Sequence, residues 1–158
     1  MGKWVVIIVV ALLTLRCMAS GASPSAGTPH RVTTPSELRK VTELERSSSG
    51  HFYTHAKVNG GLVRFLVDTG ATSVALSAAD AQRVGIAFDP AAFEVVGEGA
   101  SGPVRGERVM IDSVEVEGKL VNDVSGVVLA DSDLSLLGQS YLTRMGEVHM
   151  TGDYMLLK

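Results

Sequence analysis

From residue 51 onward the chain is cut into short apolar runs, each stopped within a few residues by Gly, Asn, Asp or Ser. Long amphipathic helices need an apolar face recurring every three to four residues over several turns, and this texture does not allow it. "HFYTHAKV" alternates loosely and ends at Asn59-Gly60, a strong two-residue hairpin signal. "LVRFLV" returns as a strand, and "SVAL" follows as another. "FEVV", "VRGERVMI", "SVEVEG", "LVNDVSGVVLA" and "LSLLG" read as further strands, and "EVHM-TGD-YMLLK" as a closing hairpin. Ser77 to Asp80 forms a capping-box-like start for a short helix that Gly85 stops. "QSYLTRM" predicts one more short helix. The expected fold is all-β, a small closed barrel with one or two short helices and no βαβ sheet.

Composition narrows the chemistry. The net charge of −3 leaves no basic footprint for nucleic acid. Cys17 is the single cysteine, so the body has neither a disulfide nor a thiolate metal site. The four histidines form no H-E-x-x-H motif. His51 and His55 would meet only on a helix, and the segment around them reads as strand. No metal or cofactor is expected.

The first residues look like a targeting segment. Lys3 precedes the apolar run "WVVIIVVALLTL", residues 4–15, after which come Arg16 and the small residues of "MASGAS". The run is shorter than the ~18 apolar residues of a comfortable spanning helix and fits a secretory signal peptide over 1–22, ending at Ala19 or Ala22. The alternative is an uncleaved short membrane anchor with Lys3 inside. A lipoprotein reading of Cys17 is opposed by Arg16 directly before it. Both main readings export the body to the periplasm or the outer face of a membrane. Residues 23–50 are expected to be a Ser/Pro/Thr linker. Within it Leu38, Val41 and Leu44 recur at spacings of three, which predicts a marginal short helix.

Two glycine motifs compete for attention. Gly97, Gly99 and Gly102 match G-x-G-x-x-G. A dinucleotide site requires that motif to open a helix, whereas here Pro103 and a strand-like run follow. The better reading is a mobile hairpin tip over a cleft. The second motif is Asp68-Thr69-Gly70, framed by "RFLV" and "ATSVALS". A turn in which Asp caps its own backbone is the plain reading. The context adds more, because an apolar strand carried into a tight Gly turn fixes a carboxylate at the floor of a cleft. Thr69 is placed to hydrogen-bond backbone and stiffen the loop.

"FLVDTGATSVALS" resembles the active-site loop of retropepsin-like aspartic proteases, in their bacterial single-domain, membrane-associated branch. "LSLLGQSYL", residues 134–142, resembles the segment that packs beside that loop and leads into a short helix. The order Asp-Thr-Gly, Gly-rich hairpin, Leu-Leu-Gly also agrees, and the resemblance spans residues 51–158. It implies a one-lobe acid-protease barrel with Asp68 catalytic and Thr69, Gly70 and Ala71 forming the active-site loop. Leu136, Leu137 and Gly138 would support the loop. Glu98, Gly99, Ala100, Ser101 and Gly102 would belong to a flap over residues 98–105.

The chemistry that the resemblance implies needs two aspartates sharing one proton, titrating as a coupled pair. One acts as general base on a water while the other polarises the scissile carbonyl. This chain holds one Asp-Thr-Gly, since Asp133 is followed by Leu134, and about 100 residues make one lobe. The implied answer is a homodimer whose two-fold axis sets Asp68 against its own copy. Tethering to a membrane would favour it by raising effective concentration. "YMLLK" either pairs across the dimer or only closes the barrel. The expected function is an aspartic endopeptidase acting on an extended peptide or protein. The alternative is a non-catalytic module that binds peptide or envelope protein on the same barrel. A nucleotide-binding enzyme would rest only on the Gly97 motif.

Overall fold

The computed structural model describes residues 40–99 and 102–158. The targeting segment, most of the linker and the flap positions Ala100 and Ser101 therefore lie outside the described residues. The strands are β1 (Thr42–Glu45), β2 (Tyr53–Val58), β3 (Gly61–Val67), β4 (Val74–Ser77), β5 (Glu94–Gly99), β6 (Gly102–Val116), β7 (Lys119–Leu129), β8 (Ser135–Leu137), β9 (Val148–Thr151) and β10 (Tyr154–Leu157). Two short helices interrupt them, α1 (Ala78–Arg83) and α2 (Gln139–Met145).

The main sheet runs β2-β3-β8-β4-β7-β6-β5, and β2 also pairs with β6 through Lys57–Glu115 and Val58–Val114. That contact closes the expected barrel, with β5 left hanging from β6 as one arm of a hairpin. Local chemistry explains most elements. The β2–β3 turn puts Asn59 at φ 49° and Gly60 at φ 85°, the left-handed pair that a two-residue hairpin demands. Ser77 caps α1 by accepting from the Asp80 amide, and Gly85 at φ 75° ends it. Strand β2 buries Thr54, Ala56 and Val58 and turns His55 outward, so His51 and His55 share no helix face.

Phe65, Leu76, Ile111, Leu137, Tyr141, Met145, Met155 and Leu157 fill the core. Tyr141 brings a polar atom inside and satisfies it. Its hydroxyl donates to the Lys119 carbonyl (2.7 Å) and accepts from the Val116 amide (3.2 Å), binding α2 to the β6–β7 turn. Strand β8 inserts between β3, to which it is parallel, and β4, to which it is antiparallel. The two strands flanking the Asp-Thr-Gly turn are thus held apart by the Leu136-Leu137 strand.

Three expectations are corrected. The helix expected around Val41 and Leu44 is strand β1, which alternates buried Thr42 and Leu44 with exposed Glu43 and Glu45. Its partner is β10, from Thr42–Leu157 to Glu45–Tyr154, so pairing with a distant strand outweighs a weak three-residue spacing. The folded domain therefore begins inside the stretch expected to be linker. "YMLLK" is not an edge: β10 sits in the middle of the sheet β1-β10-β9, where both its sides are already paired. That removes it as a strand for pairing across a dimer. "VRGERVMI" and "SVEVEG" are one long strand, β6, rather than two.

Candidate active site

Asp68 leaves the end of β3 with its amide donating to the Leu137 carbonyl (3.1 Å). Its Oδ1 accepts from the Gly70 amide (2.8 Å), and its carbonyl accepts from the Ala71 amide (3.3 Å). The turn is thereby closed on itself, with the carboxylate partly exposed. No Lys, Arg or His pairs with Asp68 among the described residues. Leu137 is fully buried under the turn, while Leu136 reaches the cleft above it.

The corner between β8 and α2 fastens the loop. The Gln139 amide donates to the Ala71 carbonyl (2.8 Å) and the Ser140 amide to the Thr72 carbonyl (3.1 Å). The Gln139 side-chain Nε2 donates to the Thr69 carbonyl (2.7 Å). Ser140 Oγ accepts from the Val74 amide (2.9 Å) and donates to the Ser125 carbonyl (2.7 Å). Gly138 makes this approach possible, since a Cβ there would lie 2.2 Å from the Ser73 oxygen and 2.8 Å from that of Ala71. The expected stiffening by Thr69 takes a different form. Its side chain is exposed, and no hydrogen bond joins its hydroxyl to a described residue; its carbonyl is what is held. Gln139 and Ser140 carry that role, and their only trace in the sequence is their position after Leu-Leu-Gly.

Behind the corner, Ser135 Oγ donates to Asp80 Oδ2 (2.6 Å) and accepts from the Ser77 amide (3.1 Å), clipping β8 to α1. Burial works against the Asp80 charge. The hydrogen bonds from Ser135 and Arg83, with the Arg83 charge, outweigh it and hold this carboxyl below the usual aspartate range.

A cleft of about 570 Å³ opens over Asp68. Its lining includes Gly70, Ala71, Ala75, Val127, Leu129 and Leu136 from the barrel, and Val96, Gly97, Glu98, Gly99 and Val104 from the β5–β6 hairpin. Ala75, Val127 and Leu129 form an apolar cluster separate from the main core, and Val96, Val104 and Leu136 pack against it. The β5–β6 hairpin thus lies over the cleft wall. Gly97, Gly99 and Gly102 serve that hairpin and open no helix. Of the flap candidates, Glu98 and Gly99 line the cleft, and Gly102 pairs with Gly99 just outside it. Glu98 is the second carboxylate of the cleft lining, and it stands on the cover, away from the Asp68 turn. A smaller hollow of about 340 Å³ flanks Asp68 and Thr69 on another side, lined by His51, Phe52, Leu66 and Met150 among others. Among the described residues no group of three His, Cys, Asp or Glu is placed to hold a metal ion.

Residues 54–144 match the family model described as "gag-polyprotein putative aspartyl protease". An uncharacterized protein of Rickettsia prowazekii is 33% identical over 72% of this chain and 49% of its own length. An uncharacterized protein of a Sinorhizobium species is 32% identical over 89% of this chain and 60% of its own. The chain thus spans about half the length of these curated relatives. The crystal structure of a retropepsin-like aspartic protease from Rickettsia conorii superposes with a TM-score of 0.61 at 34% identity, covering 75% of this chain and 91% of that one. EIAV protease, in complex with the inhibitor HBY-793, shares the fold with a TM-score of 0.51 at 20% identity, covering 63% of this chain and 91% of that one.

Proposed function

This chain belongs to the gag-polyprotein aspartyl protease family, the retropepsin-like aspartic proteases, and from that premise we propose that it is an aspartic endopeptidase active as a homodimer. The observation that carries the reading is Asp68, a partly exposed carboxylate without a cationic partner among the described residues, fixed at the floor of a covered apolar cleft. Hydrolysis by this route needs a second carboxylate within reach of the same water. One chain supplies one such turn, and the other acid of the cleft lining sits on the flap.

The two-fold reading has support at the surface. Thr69 is exposed, and Met150, 55% exposed, stands between two hollows that both reach Thr69. A second copy covering that apolar surface would bring a second Asp68 to the first. The charged Asp68 then takes a proton from a water whose oxygen attacks the scissile carbonyl carbon, while the protonated Asp68 donates to the carbonyl oxygen. Collapse of the tetrahedral adduct breaks the C–N bond, and the amine leaves with a proton. The substrate is an extended peptide that lies under the flap as an added strand.

Purified full-length wild type and Asp68→Asn, incubated with a peptide library from about pH 4 to about pH 8 and read by mass spectrometry, test the proposal. Cleavage by wild type, favoured on the acid side and abolished in a folded Asp68→Asn protein, is expected. Equal cleavage by both proteins would refute it, and peptide binding without cleavage would favour a non-catalytic module. We further place the domain outside the cytoplasm, on the strength of Lys3 and the apolar run over residues 4–15. Recovery of a tagged full-length protein from the cytosolic fraction alone would contradict this placement.

A further inference from the structure

Arg108 is the one cation among the described residues that line the cleft over Asp68, whose walls are otherwise mostly apolar. Strand register sets its place. Arg108 pairs with Val127, Val127 with Ala75, and Ala75 with Leu136, a lateral row across β6, β7, β4 and β8. Residues directly opposite one another on neighbouring strands point to the same face. Leu136, Ala75, Val127 and Arg108 therefore form one continuous wall, apolar near Asp68 and cationic at its far end.

The guanidinium has spare capacity. Its Nη2 donates to the Val96 carbonyl of the flap strand (3.0 Å), and no carboxylate pairs with it among the described residues. Glu98 shares the cleft but makes no ion pair with it. Arginine keeps its charge at any working pH and presents a fork of donors that matches a carboxylate.

We propose that Arg108 is a specificity determinant that selects substrates carrying an acidic side chain two to four residues from the scissile bond. This inference rests on the endopeptidase reading and names its substrate class. The distance follows from the row. Three strand spacings of ~4.8 Å put Arg108 about 14 Å from Leu136, roughly four residues of extended peptide at ~3.3 Å each, and the long arginine stem shortens the gap. Side chains of an extended peptide alternate, so the apolar wall takes those nearest the cut and Arg108 meets one farther out. In a homodimer the second Arg108 repeats the preference on the other side of the cut.

The test uses full-length protein and eight-residue peptides with an apolar pair at the scissile bond. Glu, Gln or Lys is placed two, three or four residues away. Wild type is expected to favour Glu over Gln by about fivefold in kcat/KM and over Lys by roughly tenfold or more, mainly through KM. Arg108→Gln, whose amide can still donate to the Val96 carbonyl, should make the three peptides equal, and Arg108→Glu should reverse their order. Melting temperatures show whether each variant is folded. Equal cleavage of the three peptides by wild type, or an unchanged preference in Arg108→Gln, overturns the proposal while leaving the endopeptidase reading intact. Binding of the same labelled peptides to Asp68→Asn and to Asp68→Asn/Arg108→Gln, by fluorescence anisotropy, separates the two claims. Charge-selective binding that needs Arg108, with no cleavage by wild type, supports the subsite and refutes the endopeptidase. Binding that ignores charge, or no binding, overturns the subsite.

Discussion

The loop of residues 68–73 and the β5–β6 hairpin face each other across one cleft, yet they are held by different means. The loop is braced at the β8–α2 corner by backbone bonds from Gln139 and Ser140 and by their side chains. The hairpin hangs from the barrel through one neighbour. Strand β5 is mostly exposed and ends the sheet, held by β6 and by Arg105 and Arg108 donating to the Phe93 and Val96 carbonyls. Under the proposed function, a carboxylate that meets its own copy at hydrogen-bond range would gain from fixed geometry, whereas a cover would have to open to admit a peptide. Substitutions in the loop should therefore cost stability and kcat together, and substitutions in the hairpin should act on KM.

The sharpest break comes at Gly138. Gly138→Ala drives a Cβ into the Ser73 and Ala71 backbone, which cannot retreat without opening the turn. The expected loss is about 3 kcal/mol or more, with activity abolished, measured by urea unfolding and peptide cleavage. Near-native stability would mean that the corner is looser than its contacts imply. Ser140→Ala leaves the Val74 amide and the Ser125 carbonyl without their partner, for an expected cost of about 1–3 kcal/mol and a lower kcat.

Asp80 tests the support behind the corner through pH. Its folded-state pKa is depressed, so its contribution is fully present above the unfolded value and is lost as pH falls through the folded value. Wild type should melt above Asp80→Asn at neutral and mildly acid pH, with the gap closing only in strong acid. The clip on β8 would then persist where an aspartate pair is active. A gap that grows as pH falls would contradict the sign. The smallest effect on stability belongs to the flap. Val96→Ala removes part of the cover over Ala75, Val127 and Leu129 and should cost under about 1 kcal/mol while raising KM. A kcat loss as large as that of Ser140→Ala would erase the distinction between loop and cover.

The two regions also differ in how far they could be read before the fold was known. Asn59-Gly60, the Ser77 cap, Gly85 and the Asp-Thr-Gly turn act on their own neighbours, so local chemistry exposed them. The Gly-rich hairpin was legible for the same reason, whereas Leu-Leu-Gly was legible only through its resemblance to the family's loop-supporting segment. What stayed hidden depends on partners far along the chain. Strand β1 exists because Thr42 meets Leu157. The same pairing takes β10 from the edge to the middle of its sheet. The role given to Thr69 fell to Gln139, about seventy residues away, because a crossing of β8 between β3 and β4 leaves no periodic trace. Arg108 joins the cleft only through three successive strand registers, which no spacing in the chain encodes.

The central claim is that Asp68 works only in pairs. Wild type and Asp68→Asn, mixed at constant total concentration and allowed to exchange subunits, test it most directly. If both carboxylates are needed, activity falls as the square of the wild-type fraction, to about one quarter in an equal mixture. A straight-line fall, with about half the activity in that mixture, would mean that each chain cleaves by itself and would contradict the account.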